Sequence, residues 1–300
     1  MSTIPVNKRI AVKNVLFLTD FSEPSSIALP FAAMIARSYG SKVTALHVVL
    51  PSAYAYMTPG VSTTLLDDQD DLAKAEMQRV EAELVGLPCE MIIERDCEVW
   101  PVLCEVSKEC EIDLIVLGTH GRTGLKKALL GSTAEAVFRR TAVPVLTIGP
   151  SVRVGAHNGG RFHCVLFATD FNEASSVAAP YAISLAEENQ SRLVLLHILP
   201  APKPGKAKNS GELSVAEAMH RLDDLVPRDA EFWCRPEPTV EHGKPSVEIL
   251  ATAQRSGADL IVVGVREMNA LAGVATRIER GIAYEVVAHA PCPVLTVRGQ

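Results

Sequence analysis

The chain has 300 residues, 48% of them hydrophobic and 21% charged, with a formal net charge of −6. That length gives room for two ordinary domains, each with its own core, and the composition excludes a disordered chain. Neither half is basic, which argues against a general nucleic-acid binder.

In chain order, the first apolar run, residues 15–19, is continuous, as a strand buried on both faces should be. Residues 25–39 predict a helix with Ile27, Phe31, Met34 and Ile35 on one side and Gly40 as its stop. Residues 43–49 predict a second strand, about 65–85 a charged amphipathic helix, 90–93 a third strand and 99–110 another helix. A fourth strand at 114–117, a helix at 132–140 and a fifth strand at 143–148 complete the unit. This alternation predicts a parallel sheet with helices on both faces. Pro30 breaks the first helical pattern, and a helix starting near Ser25 or Ser26 would place it just past the first turn.

The whole unit then returns. VLFLTDFSEPSS at 15–26 recurs as VLFATDFNEASS at 165–176, DLIVLG at 113–118 as DLIVVG at 259–264, and PVLT at 144–147 as PVLT at 293–296. The shifting offsets mark loop insertions in a duplicated domain. A linker with four glycines and a proline spans 149–160, so the expected domains are 1–150 and 161–300. Pro180 repeats the proline of the first helix.

The apolar runs are too short to cross a bilayer, and the N-terminal segment has no apolar core of secretory length before its charges. The seven cysteines form no CxxC pair or metal spacing and read as reduced, gap-filling thiols. A cytoplasmic protein is expected.

In an open sheet of this kind, ligands bind at the carboxyl ends of the strands where the strand order reverses. Two features fall there: Thr19-Asp20 after the first strand, and the segment from Gly118 to Ser132 after the fourth. Gly118 and Gly121 allow positive φ and close approach of a ligand. Gly131 and Ser132 stand where a helix begins, with Ser132 and Glu135 spaced as a capping box. A helix N-terminus favours an anion, and Arg122, Lys126 and Lys127 add positive charge. Asp20 is the kind of group that accepts from ribose hydroxyls.

The spacing Gly-x-x-Gly, nine residues, Gly-Ser, carried by Gly118, Gly121, Gly131 and Ser132, resembles the ATP loop of universal stress proteins. The segments at Thr19–Ser22, at Val43 and at the last strand resemble that family too, and the likeness runs through both halves. It implies two tandem Rossmann-like domains of the adenine nucleotide alpha hydrolase type, each an α/β fold with a five-stranded parallel sheet. It also implies an ATP site, with Mg²⁺ supplied alongside the phosphates. Asp20 would hold the ribose and the Val43 backbone would meet adenine. Gly118, Thr119, His120 and Gly121 would line ribose and phosphates, and Gly131, Ser132 and Thr133 would bind phosphate oxygens. Family members pair through their last strands, so the two halves are expected to pair within the chain, with a homodimer or a regulatory protein as further partner.

The second half keeps Asp170 and Gly264, but Glu267 replaces the second glycine and Arg280-Gly281 stands where Gly131-Ser132 stood. A carboxylate at the phosphate position repels a nucleotide, so the ATP site is expected in the first half. No nucleophile–base constellation is legible, and any hydrolysis would be slow.

Each residue also has a plain structural reading. Asp20 or Ser22 could cap the following helix, and the survival of Asp170 beside a decayed loop adds weight to that. His47 and His197 read as core or strand-end residues, while His120 is equally a phosphate contact or a plain loop histidine. Arg122, Lys126 and Lys127 could be a solvated face, and the acidic run at Asp67, Asp68, Asp70 and Asp71 a solvated helix start. Tyr54, Tyr56 and Met57 could cover a base or serve a dimer contact. Two further readings carry less: a nucleotide-free scaffold, and a phospho-acceptor module with Asp20 as its carboxylate, which lacks the lysine and acidic cluster it needs.

Overall fold

The apolar run at the start of each repeat forms a strand because every side chain in it finds a protein neighbour. β1 (Asn14–Leu18) buries Val15, Leu16 and Phe17 almost completely. In the computed structural model, residues 10–50, 62–119, 130–152, 160–201, 213–227, 232–266 and 281–299 are described, the side chains of 62–68 excepted. The chain divides into two units, Val12–Ile148 and the segment from Gly149 onward.

In the first unit β1 is followed by α1 (Glu23–Tyr39), β2 (Lys42–Val49), α2 (Ser62–Glu83), β3 (Cys89–Arg95), α3 (Val99–Glu109), β4 (Leu114–Gly118), α4 (Ser132–Arg140) and β5 (Val145–Ile148). The strands pair in parallel in the order β3-β2-β1-β4-β5. The chain therefore steps outward from β1 in one direction to β2 and β3, then returns to the other side of β1 for β4 and β5. Right-handed crossovers put the helices of these two excursions on opposite faces. α1 packs over β1 and β4, α2 over β2 and β3, and α3 against α4. The strand order reverses between β1 and β4, which opens a crevice at their carboxyl ends.

The second unit repeats this order with β6 (Cys164–Ala168), α5 (Glu173–Asn189), β7 (Arg192–Leu199), α6 (Val215–Asp223), β8 (Arg235–His242), α7 (Pro245–Ser256), β9 (Leu260–Val265), α8 (Ile282–His289) and β10 (Val294–Arg298). Its strands run β8-β7-β6-β9-β10, all parallel. Small polar contacts are duplicated as well. Ser41 Oγ donates to the Val12 carbonyl at 2.6 Å and Ser191 Oγ to that of Phe162 at 2.8 Å. Asp113 accepts from the Lys13 and Asn14 amides, and Asp259 from those of His163 and Cys164. Such bonds hold the strand starts in register, so the duplication reaches individual side chains.

Two expectations about helix starts need correction. α1 begins at Glu23, not at Ser25 or Ser26, so Pro30 lies well inside it. An interior proline costs about 3 kcal/mol. The same helix buries Leu29, Phe31, Met34 and Ile35 almost fully, at about 1.5–3 kcal/mol each. Tertiary burial therefore outweighs the proline. α4 begins at Ser132 as expected, but its N-cap is Gly131 and no side chain caps it. The Ser132–Glu135 capping box does not form, because Ser132 is already the first helical residue and Glu135 pairs with Arg139 at 2.8 Å instead.

Candidate functional site

At the carboxyl end of β1, in the first unit, the chain must leave the strand and enter α1 within four residues. Asp20 makes this possible: its Oδ1 accepts from the Ser22 amide at 3.0 Å and the Ser22 hydroxyl at 2.5 Å. Phe21, held between them, takes a left-handed backbone with φ of 58°, a conformation that costs a non-glycine residue about 1–2 kcal/mol. The strain puts the Phe21 ring on His47, with centroids 4.1 Å apart. His47 Nδ1 lies 2.8 Å from the Thr19 carbonyl, which can only accept, so the proton sits on Nδ1. His47 is therefore the strand-end residue the sequence suggested, 7% exposed and locked to the turn.

Gly118 ends β4 against the start of α1. A Cβ there would lie 2.8 Å from the Pro24 carbonyl oxygen and 3.1 Å from the Ser25 amide. The close approach that this glycine permits is thus to the protein's own backbone, and its φ is not positive among the described residues. The expectation that it frees the backbone for a ligand is corrected to this extent. Gly131 closes the site from the other side, its amide donating to the Thr119 carbonyl at 2.7 Å.

These elements surround a cavity of about 410 Å³, within the size range of small-ligand sites. Asp20 and Phe21 line it after β1, Gly118 and Thr119 after β4, and Gly131, Ser132 and Thr133 at the start of α4. The end of β2 contributes Val48 and Val49, the residue after it Leu50, and α2 contributes Gln69, Leu72, Ala73 and Glu76. The N-terminus of α4, with its partial positive charge and no side-chain cap, faces this space. An anion at one end and a hydroxyl-bearing group beside Asp20 is the chemistry this arrangement favours.

Six of the expected residues, Asp20, Gly118, Thr119, Gly131, Ser132 and Thr133, thus meet at one cavity. Val43 does not. It sits at the amino end of β2, paired with Val15 and Cys89, and is fully buried. At about 3.3 Å per residue, that is about 16 Å from Val48 at the cavity end of the strand. The residues that reach the site from β2 are Val48 and Val49, and counting along the strand direction would have found them. His120 and Gly121 lie outside the described residues, as do Arg122, Lys126, Lys127, Tyr54, Tyr56 and Met57. Asp70 and Asp71 of the acidic run pair with Arg95 at 2.6 Å and Lys74 at 3.3 Å, and no metal-ligating cluster occurs among the described residues. The contribution of α2 was missed, since its pattern reads as an ordinary amphipathic helix.

In the second unit the same turn is built differently. Asp170 accepts from the Asn172 amide at 3.2 Å, Asn172 Nδ2 at 2.7 Å and Ser175 Oγ at 2.7 Å, and pairs with Arg266 at 3.5 Å. Phe171 again has a positive φ of 60° and stacks on His197, with Arg221 over its ring at 5.7 Å. Gly264 meets the Ala174 backbone, where a Cβ would come within 2.5 Å. The N-cap of α8 is Gly281, so it is Gly281 that matches Gly131 and Ile282 that matches Ser132. The alignment of Arg280-Gly281 with Gly131-Ser132 is therefore off by one residue. Glu285, in the first turn of α8, binds Lys244 and the Ser246 hydroxyl, and these bonds hold its carboxyl below the ordinary value. Glu267 lies outside the described residues.

Comparison with known proteins agrees with this architecture. The family model for the universal stress protein family matches residues 11–149 and again 161–298. A universal stress protein from Mycolicibacterium smegmatis is 25% identical over 298 residues, covering 95% of this chain and 96% of that protein. The crystal structure of a universal stress protein from Archaeoglobus fulgidus superimposes with a TM-score of 0.68 at 22% identity, covering 96% of this chain and 98% of that one. Another universal stress protein has been solved in complex with cAMP; it is 19% identical over 47% of this chain, with a TM-score of 0.36. With two matches in tandem that span nearly its whole length, the chain belongs to the universal stress protein family.

Proposed function

We propose that the first domain binds ATP, with Mg²⁺ at its phosphates, and that binding makes the chain a nucleotide-responsive regulatory or protective protein of the stress response, acting in the cytoplasm. One observation carries this reading: Asp20, Thr119 and the uncapped start of α4 share a single cavity at the reversal of strand order. The order of parts along the sheet matches the order of parts in a nucleotide. α4 and the end of β4 offer N–H groups and the Ser132 and Thr133 hydroxyls to phosphate oxygens. Asp20, one strand along, accepts from the ribose. Val48 and Val49, one strand further and under α2, offer apolar contact to the base. His120 and Gly121 are assigned to the phosphate loop by family resemblance. A homodimer or a regulatory protein would read the bound state. We assign the second domain a nucleotide-free scaffold role, where the Arg266 cation pairs with Asp170 and Ile282 stands in place of the Ser132 hydroxyl. No general base is assigned, and turnover is at most slow.

The test is ATP affinity in the presence of Mg²⁺ for wild type and Gly131→Asp. The substitution places a carboxylate where phosphate would sit, and affinity should fall more than ~100-fold, about 2.7 kcal/mol. Equal affinity in the two proteins would contradict the site.

A further inference from the structure

α2 brings one polar side chain to the cavity that has no partner of its own. Gln69 lines the space together with Leu72 and Ala73, and its Oε1 is buried with no hydrogen bond. Thr44 Oγ1 and Ser107 Oγ are other buried side-chain atoms in that condition among the described residues, and neither belongs to the cavity lining. A buried amide oxygen left unpaired is unfavourable, and a ligand that supplies a donor there removes the cost. The atom left wanting is an acceptor, so the ligand group it calls for is an N–H or O–H.

The sheet order says which end of a nucleotide lies there. Neighbouring strands are about 4.8 Å apart. From the phosphate end at β4 and α4, through Asp20 after β1, the next strand is β2, and α2 packs over it. Gln69 is therefore at the base end, over β2, whose end is about 10 Å from that of β4 by strand spacing. Adenine carries an amino group at position 6, where guanine and hypoxanthine carry an oxygen.

We infer that Gln69 is a specificity-determining residue: its Oε1 accepts from the 6-amino group of the bound purine and selects 6-aminopurine nucleotides. This rests on the ATP reading above. Val48, Val49, Leu50 and Leu72 supply apolar contact that any purine would satisfy, and the Gln69 amide oxygen adds a contact specific to an exocyclic N–H.

The probes are ATP and the triphosphate of purine riboside, which has hydrogen at position 6, bound with Mg²⁺ to wild type and to Gln69→Met. Methionine keeps the length of the side chain and removes the acceptor. Wild type should prefer ATP over the 6-hydrogen analogue by about tenfold, the value of one hydrogen bond of about 1.4 kcal/mol. In Gln69→Met the ratio should fall to about one through weaker ATP binding, with the analogue bound as before and no loss of melting temperature without ligand. A variant that binds both nucleotides more weakly but keeps the tenfold ratio overturns the role of Gln69 and leaves the ATP site standing. Wild type that binds neither nucleotide overturns both.

Discussion

In the first domain Ser25 Oγ lies 3.1 Å from Thr19 Oγ1 and donates to the Ser22 carbonyl at 2.9 Å. In the second domain the equivalent Ser175 Oγ donates to Asp170 at 2.7 Å. The turn, the left-handed phenylalanine and the histidine beneath it are the same in both; Asp20 lines a cavity, and Asp170 takes an added bond from Ser175 and pairs with Arg266. The difference teaches that a motif residue is retained wherever it organises the turn, whatever the surroundings of that turn have become. Asp170 and Gly264 survive for structural reasons that hold in both domains: one organises the turn, and the other lets the end of a strand pass close to a helix start. Ser132, which lines the cavity in the first domain, is Ile282 in the second. Ile282 is 49% exposed, an apolar group where the first domain has a hydroxyl.

The largest effect that would sharpen this comparison comes from introducing a carboxylate at each N-cap. Gly131 and Gly281 have nearly the same backbone, with φ of −61° and −58°, a conformation that aspartate adopts readily at an N-cap, where exchanging it for glycine changes helix stability by only about a few tenths of a kcal/mol. Gly131→Asp should remove ATP binding and Gly281→Asp should leave it unchanged, as read by titration calorimetry. A loss of binding with Gly281→Asp would place the nucleotide in the wrong domain for this account.

Next are the packed glycines. Gly118→Ala and Gly264→Ala each force a Cβ into backbone, and overpacking of this kind costs about 1–3 kcal/mol. Gly264→Ala should be the worse of the two, since its contact is 2.5 Å against 2.8 Å. Urea denaturation should show both losses without nucleotide. If Gly118→Ala is fully stable and only ATP binding suffers, the glycine serves the ligand and its structural reading fails.

Much of this was legible in the sequence, and the reasons are physical. The duplication, the strand–helix alternation and the carboxyl-end location of Asp20 and Gly118 follow from patterns that the chain must carry to bury the parallel strands of each unit. What was not legible needed direction or depth. Val43 looked suitable because it is on the right strand, but only the strand's polarity and register show that it lies at the opposite end. Gln69 gave no signal, because a glutamine on an amphipathic helix is ordinary until its neighbours are known. The Pro30 helix start was missed because the burial that overrides the proline is tertiary. The capping box failed because Gly131, with no side chain, takes the cap position itself.

Smaller effects test the aspartates. Asp20→Ala and Asp170→Ala should each lose about 1 kcal/mol from the turn, the net value of a hydrogen bond of this kind. Only Asp20→Ala should weaken ATP, by about tenfold, through the lost ribose contact. Parallel losses of ATP affinity in the two variants would mean that the aspartates remain functionally equivalent.

The smallest effect concerns acid. Glu285 is held below its ordinary value of 4.5, first by the Lys244 bond and then by Ser246. A carboxylate with a depressed folded value stabilises the fold above 4.5 and loses that contribution as pH falls through the folded value. Glu285→Gln should therefore flatten the acid limb of stability in the second domain, and only slightly, because the group is exposed and screened. Glu135 in the first domain pairs within its own helix to Arg139, and Glu135→Gln is expected to leave the second domain's acid limb as it was. Thermal melts from pH 6 down to about 3 would read both.

The central claim is that two copies of one fold carry one nucleotide site. The most direct measurement denatures freshly purified protein, separates the released small molecules by chromatography and counts adenine nucleotide per chain after saturation with ATP and Mg²⁺. The account predicts a ratio of one, falling to zero in Gly131→Asp. A ratio of two, or a ratio of one that survives Gly131→Asp, would contradict it.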